Sequence, residues 1–152
     1  MTCKRCFFIG HRDATSEILP QLKQAIETHI SEYGVTEFIV GNHGMFDHLA
    51  AFAVLSAKKV HPDIVLTLLS PYHPSNSNIT RTDIFDTVFY PDGMEKVPLK
   101  YAIIKANEYT IRYVDYLIAF VWHTASNSKK IVEYTQRREK RGLIKVTVLK
   151  VK

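Results

Sequence analysis

The chain lacks any apolar run approaching the ~20 residues that a membrane-spanning helix requires. Its first residues carry charge and then only Phe7-Phe8-Ile9 before His11 and Arg12, too short for the apolar region of a secretory signal. The expectation is a cytoplasmic protein with no membrane partner. Cysteine is scarce, with two residues, Cys3 and Cys6. They form a CxxC pair, but zinc usually takes four ligands and no second CxxC or HxxxH stretch completes a set. A thioredoxin-type pair follows a strand and opens a helix. Here the pair precedes the apolar run, so two thiols at the entrance of the first strand are expected. There is no Gly-x-Ser-x-Gly elbow and no cysteine beside a motif histidine, which leaves nucleophilic hydrolase chemistry little support. Nor is there a GxGxxG or Walker A loop.

The 152 residues suit one domain, expected over 1–152, and need no disulfide or metal to hold a core. Apolar residues make up 46% and charged residues 23%, which argues against a disordered chain. The net charge of +5 is uneven. Residues 1–76 hold six Lys/Arg against seven Asp/Glu, whereas residues 77–152 hold fourteen against eight. Most of the excess lies between Lys129 and Lys152. Such a basic end either attracts a polyanion or complements a helix dipole. Only Tyr134 interleaves with it as a stacking surface, so nucleic acid is the less favoured partner.

Apolar runs and breakers alternate along the chain. Strands are expected at Phe7–Ile9, Glu37–Val40, Ile64–Leu69, Asp86–Tyr90, Tyr116–Trp122 and Ile144–Val151, the last an edge. Helices are expected from Ile18 to Gly34, with Pro20 in the first turn, from Phe46 to Val60, from Pro98 to Tyr113, and from Ser128 to Arg141. In the second, Leu49, Phe52, Ala53 and Leu55 or Ser56 are expected inward. Residues 70–82 read as a long irregular loop. The alternation predicts an α/β fold, a doubly wound and mainly parallel sheet with helices on both faces.

Ligands of such sheets bind beyond the carboxyl ends of the strands. Five segments lie there: Gly10-His11-Arg12, Gly41-Asn42-His43-Gly44, Ser70-Pro71-Tyr72, Tyr90-Pro91-Asp92 and Trp122-His123-Thr124. Gly10 lets the backbone turn and approach a ligand closely. Helix-start amides suit phosphate, and Arg12 adds a bidentate donor. His11 reads as an acid or base, a phosphate donor, or only a turn's hydrogen-bond donor. Asp47 could bind a ribose hydroxyl, act as a base, or merely serve its helix start. The histidines at 43, 48, 61, 73 and 123 show no metal-ligand spacing, and no metal is expected. Tyr72 and Trp122 either stack on a base or pack in the core.

Three stretches together, Phe7-Phe8-Ile9-Gly10-His11-Arg12, Val40-Gly41-Asn42-His43-Gly44-Met45-Phe46-Asp47 and Tyr90-Pro91-Asp92-Gly93-Met94-Glu95, resemble small Firmicutes-type proteins of the SLOG superfamily. That Rossmann-like superfamily includes the cytokinin-activating LOG phosphoribohydrolases and the DNA-processing protein of natural transformation. The resemblance implies a pocket at the strand C-termini for a nucleotide or nucleotide-derived molecule. It places Gly10, His11, Arg12, Gly41, Asn42, Gly44, Phe46 and Asp47 there, with Tyr90, Pro91 and Asn107 as further candidates. Two departures stand out. Ala106-Asn107 replaces the group's usual Arg-Asn, and Ala125-Ser126-Asn127-Ser128 replaces its glycine pair. The Pro-Gly-Gly-x-Gly-Thr-x-x-Glu signature of the LOG hydrolases is absent. The expected function is therefore binding, as a sensor or sequestering domain, with no cofactor and a possible homo-oligomer. The alternatives are a hydrolase of N-glycosidic or phosphoester bonds using His11 or Asp47, and a nucleic-acid binder using Arg137–Lys152.

Overall fold

Phe7 and Phe8 are neighbours in sequence, yet both are about 1% exposed. Successive side chains of a strand point to opposite faces, so both can be buried only if each face of the sheet is covered. A computed structural model describing residues 3–73, 84–121 and 127–150 has this arrangement. Its strands are β1 (Lys4–Gly10), β2 (Val35–Val40), β3 (Val65–Leu69), β4 (Thr87–Phe89), β5 (Tyr116–Phe120) and β6 (Lys145–Val148). Its helices are α1 (Leu19–Ser31), α2 (Met45–Lys58), α3 (Ala102–Tyr113) and α4 (Asn127–Lys140). The sheet runs β4-β3-β2-β1-β5-β6, and every pairing is parallel.

Two apolar layers sandwich the sheet. Phe8, Phe38 and Ile118 face α1 and α2, meeting Leu22, Ile26, Ala50 and Val54. Phe7, Ile39 and Leu117 face α3 and α4, meeting Ala106, Ile111, Ile131 and Val132. Each fully buried Phe, Ile or Leu contributes roughly 1.5–3 kcal/mol of transfer free energy, so the four strand residues from Cys6 to Ile9 anchor both layers at once. This is a doubly wound, Rossmann-like α/β fold. Strand order reverses between β1 and β5, which opens a crevice at their carboxyl ends. Among the described residues no helix is long and apolar enough to cross a membrane.

The elements differ from expectation mainly at their ends. β1 and β2 begin earlier, because Lys4 pairs with Val35 through backbone groups that need no apolar side chain. Pro20 sits in the first turn of α1, and Gly34 follows the helix with φ 73°. No side chain caps α1; a short 3₁₀ turn at Ser16–Ile18 leads into it instead. α2 buries Ala53 as expected and packs Leu49 and Leu55 partly against the core, but it leaves Phe52 out. Its buried stripe is Phe46, Ala50, Ala51, Ala53 and Val54, and Phe52 is 52% exposed. β6 is an edge strand, where Glu139 Oε2 accepts the Val146 amide at 2.6 Å. Cys6 is buried in β1, and burial pushes its thiol pKa well up; Cys3 is exposed, at 3.1 Å from the Thr36 hydroxyl.

Candidate functional site

The loops after β1 and β2 are built against each other. Gly10, the last residue of β1, pairs with Phe120, and the His11 amide continues that ladder to the Phe120 carbonyl at 3.1 Å. A Cβ on Gly10 would stand 2.3 Å from Cγ of Phe46, far inside contact distance. Gly10 therefore admits the Phe46 ring, which also packs 5.9 Å from the Phe120 ring. Gly44 is extended (φ 172°), so its role is close approach: a Cβ there would lie 2.6 Å from Cα of Arg12. The contact is sealed by the Met45 amide donating to the Arg12 carbonyl at 2.9 Å.

Asp47 is the third residue of α2. Acids at this position reach back over the preceding loop, and its Oδ2 accepts the His43 amide at 3.0 Å. A Cβ on Gly41 would come within 2.9 Å of the same oxygen. Desolvation raises the Asp47 pKa to about 6, against the His43 hydrogen bond and the charge of His48, both of which lower it. His43 is shifted down, chiefly by burial and then by the nearby Arg12 charge.

These groups enclose a cleft of about 150 Å³ lined by Phe7, Phe8, Ile9, Gly10, Arg12, Gly41, His43, Gly44, Asp47, Ile103 and Asn107. It lies on the carboxyl rim of β1 and β2, roofed by α3. The first helical N–H groups have no partner within their own helix. In α2, Met45 and His48 find the Arg12 and Gly44 carbonyls, while Phe46 and Asp47 amides have no protein acceptor among the described residues. The polar inventory is thus the exposed Arg12 guanidinium, the Asn107 amide, the His43 ring, the helix-start N–H of Asp47 and one carboxyl of raised pKa. That set can hold a small anion and exchange one proton near neutral pH.

The expected residues divide. Gly10, Arg12, Gly41, Gly44, Asp47 and Asn107 meet at this cleft. Phe46 does not line it, being 0% exposed and packed into the α1/α2 layer. His11 is 4% exposed and also outside the lining; its backbone is held between β5 and the turn at Ala14, which turns it into the protein. Asn42 faces the other way: His48 Nε2 donates to its Oδ1 at 3.0 Å, beside a second cleft of about 490 Å³. Tyr90 and Pro91 follow the edge strand β4, three strands from β1 and so roughly 14 Å across the sheet. Tyr90 lines a third cleft, of about 640 Å³, with Tyr72, His73 and Met94; Pro91 is buried. The Trp122-His123-Thr124 segment and Ala125-Ser126 lie outside the described residues, as do the side chains of Asn127 and Ser128.

Two lining residues went unforeseen as ligand contacts, His43 and Ile103. Ile103 stands one helical turn before Asn107, so the i, i+4 spacing from a candidate already chosen would have found it. Among the described residues no group of three or more His, Cys, Asp or Glu side chains could hold a metal ion. No protein-family model matches the chain, and no curated protein matches it.

Proposed function

We propose that the β1/β2 cleft binds the anionic group of a nucleotide or nucleotide-derived small molecule, and that the chain is a sensing or sequestering domain of SLOG type. What supports this reading is the meeting of Arg12, His43, Asn107 and the start of α2 at Gly44 and Asp47 around one polar cleft at the carboxyl rim of a doubly wound sheet. Arg12 stands on a loop whose backbone is clamped to Gly44 and Met45, so its guanidinium is presented from a fixed base. The motif resemblance at Gly10-His11-Arg12 and Val40-Gly41-Asn42 points the same way.

A second reading has one observation in its favour. Asp47 carries a pKa of about 6 at the cleft wall, in the range a general acid or base uses near neutral pH. A hydrolase of N-glycosidic or phosphoester bonds would use it to move a proton.

Thermal shift and calorimetry against phosphate, sulfate and a panel of nucleotides test the binding reading. A ligand that binds only the folded state must raise the melting temperature. Arg12→Ala is expected to abolish that rise while leaving the unliganded melting temperature unchanged, since the Arg12 side chain is exposed. No stabilisation by any of these anions at millimolar concentration would overturn the proposal. Product release from a nucleotide panel, followed by mass spectrometry and lost in Asp47→Asn, would favour the second reading.

A further inference from the structure

The small cleft is not isolated. Gly41 and Asp47 line both it and the 490 Å³ cleft on the α2 side of the sheet. The two differ in character. The smaller, of about 150 Å³, has room for a phosphate-sized anion. The larger cleft falls within the usual ligand range of about 300–1,000 Å³. One wall is apolar, with Ala51, Phe52 and Leu55 on α2, Leu68 on β3, and Ile84 and Phe85 opposite, while Asn42, Asp47 and His48 make the end nearest the small cleft polar. Phe52 is half exposed there.

The walls are fixed. Phe85 precedes Asp86, whose Oδ2 accepts the Leu66 amide at 2.8 Å and Lys58 Nζ at 2.5 Å. The Asp86 amide in turn donates to the Leu66 carbonyl at 2.8 Å. These bonds tie the far wall to both β3 and α2, so the cleft is a built feature of the fold.

We infer that the two clefts are compartments of one site, joined at Asp47, and that its ligand is an amphiphilic anion with a single phosphate-sized group in the small compartment and a planar apolar group against Phe52 and Leu55 in the large one. The inference rests on the anion-binding reading above and narrows it: a ligand with its anionic group in the small compartment would carry its attachment against the apolar wall of the large one.

Titration with two probes tests it, inorganic phosphate and 1-naphthyl phosphate. Burying roughly 60 Å² of apolar surface is worth about tenfold in affinity, so naphthyl phosphate is expected to bind at least tenfold more tightly than phosphate. Phe52→Ala is expected to remove most of that advantage and leave phosphate affinity unchanged. Its exposure makes the folded state insensitive to the change, which an unaltered melting temperature checks. Arg12→Ala is expected to weaken both probes. Equal affinity of the two probes would overturn the two-compartment inference while leaving anion binding intact. So would a naphthyl advantage that survives Phe52→Ala. Failure of both probes to bind would overturn the anion-binding reading itself, and the inference with it.

Discussion

Replacing Asp47 by Asn isolates the energetic consequence of placing a carboxyl at the junction of the two clefts. Its pKa is raised from 3.8 in the unfolded chain to about 6 in the fold, a difference of about 2.2. Each pKa unit is 1.36 kcal/mol, so the ionised form destabilises the folded state by about 3 kcal/mol; Asp47 is partly exposed, which makes this an upper bound. The stability the neutral acid permits is fully present below pH 3.8 and is lost as pH rises through about 6. Asn keeps an oxygen that can accept the His43 amide and never ionises. Asp47→Asn is therefore expected to be nearly neutral at pH 3.5, to stabilise by about 1.5 kcal/mol at pH 5, and by up to about 3 kcal/mol above pH 7. For a chain of this length the last figure is a rise of about 6–12 °C in melting temperature. Urea unfolding of both proteins between pH 4 and 8 measures the difference directly. A gap that does not change with pH, or that shrinks as pH rises, would refute the assignment of a raised pKa to this carboxyl.

The same titration bears on the ligand: ionised Asp47 repels an anion, so sulfate affinity is expected to rise severalfold as pH falls through about 6, and Asp47→Asn to lose that dependence in calorimetric titrations. Gly10→Ala places a methyl 2.3 Å from the Phe46 ring and is expected to destabilise by about 1–3 kcal/mol in urea unfolding. Combined with Phe46→Ala, which opens that space, its additional cost is expected to fall near zero, a coupling that a double-mutant cycle reads. His29 is 1% exposed, with Nδ1 donating to the Ala25 carbonyl at 2.6 Å, no protein partner for Nε2 among the described residues, and Tyr33 and Tyr116 edge-on to its ring. Burial lowers its pKa, helped by Lys145, so the unfolded chain takes up the proton first. Stability is expected to fall as pH drops below about 6.5, and His29→Phe to flatten that limb of the pH–stability curve.

The sheet was legible because its strands are buried on both faces. Phe7-Phe8-Ile9, Phe38-Ile39-Val40 and Leu117-Ile118-Ala119 are continuous apolar runs for that reason, and each lies in a strand. The early starts of β1 and β2 were illegible, since Lys4 pairs with Val35 through the backbone and Lys4, Arg5 and Thr36 leave no apolar trace. α2 misled at Phe52 for a different reason. Its sequence from Met45 to Lys58 is apolar or alanine on most sides, so the burial stripe is set by what it packs against. Phe52 reads as core by composition and stands instead at the wall of the larger cleft.

At the site, six of the eleven expected residues gather at one cleft of the carboxyl rim and the other five do not. The reason lies in what a glycine reports. A phosphate loop needs glycine so that backbone can approach an anion, and a tight loop–helix junction needs it so that side chains and backbone can approach each other. Here Gly10 makes room for the Phe46 ring, Gly44 for the Arg12 backbone, and Gly41 for the Asp47 carboxylate. Each is accounted for by packing alone, and Phe46, one of the residues the resemblance placed at the pocket, is the ring that fills the space beneath Gly10. Glycine spacing alone therefore does not distinguish a ligand loop from a packed junction in this chain. The groups that the packing does not consume are an exposed arginine on a clamped loop, the Asp47 amide at the start of α2, an asparagine arriving from α3, and a carboxyl whose ionisation the fold opposes. Asn at this position would keep the hydrogen bond without a penalty of up to about 3 kcal/mol above pH 7 but would lose the favourable interaction of an acid with the helix start, and the pH dependence of the Asp47→Asn difference separates the two effects.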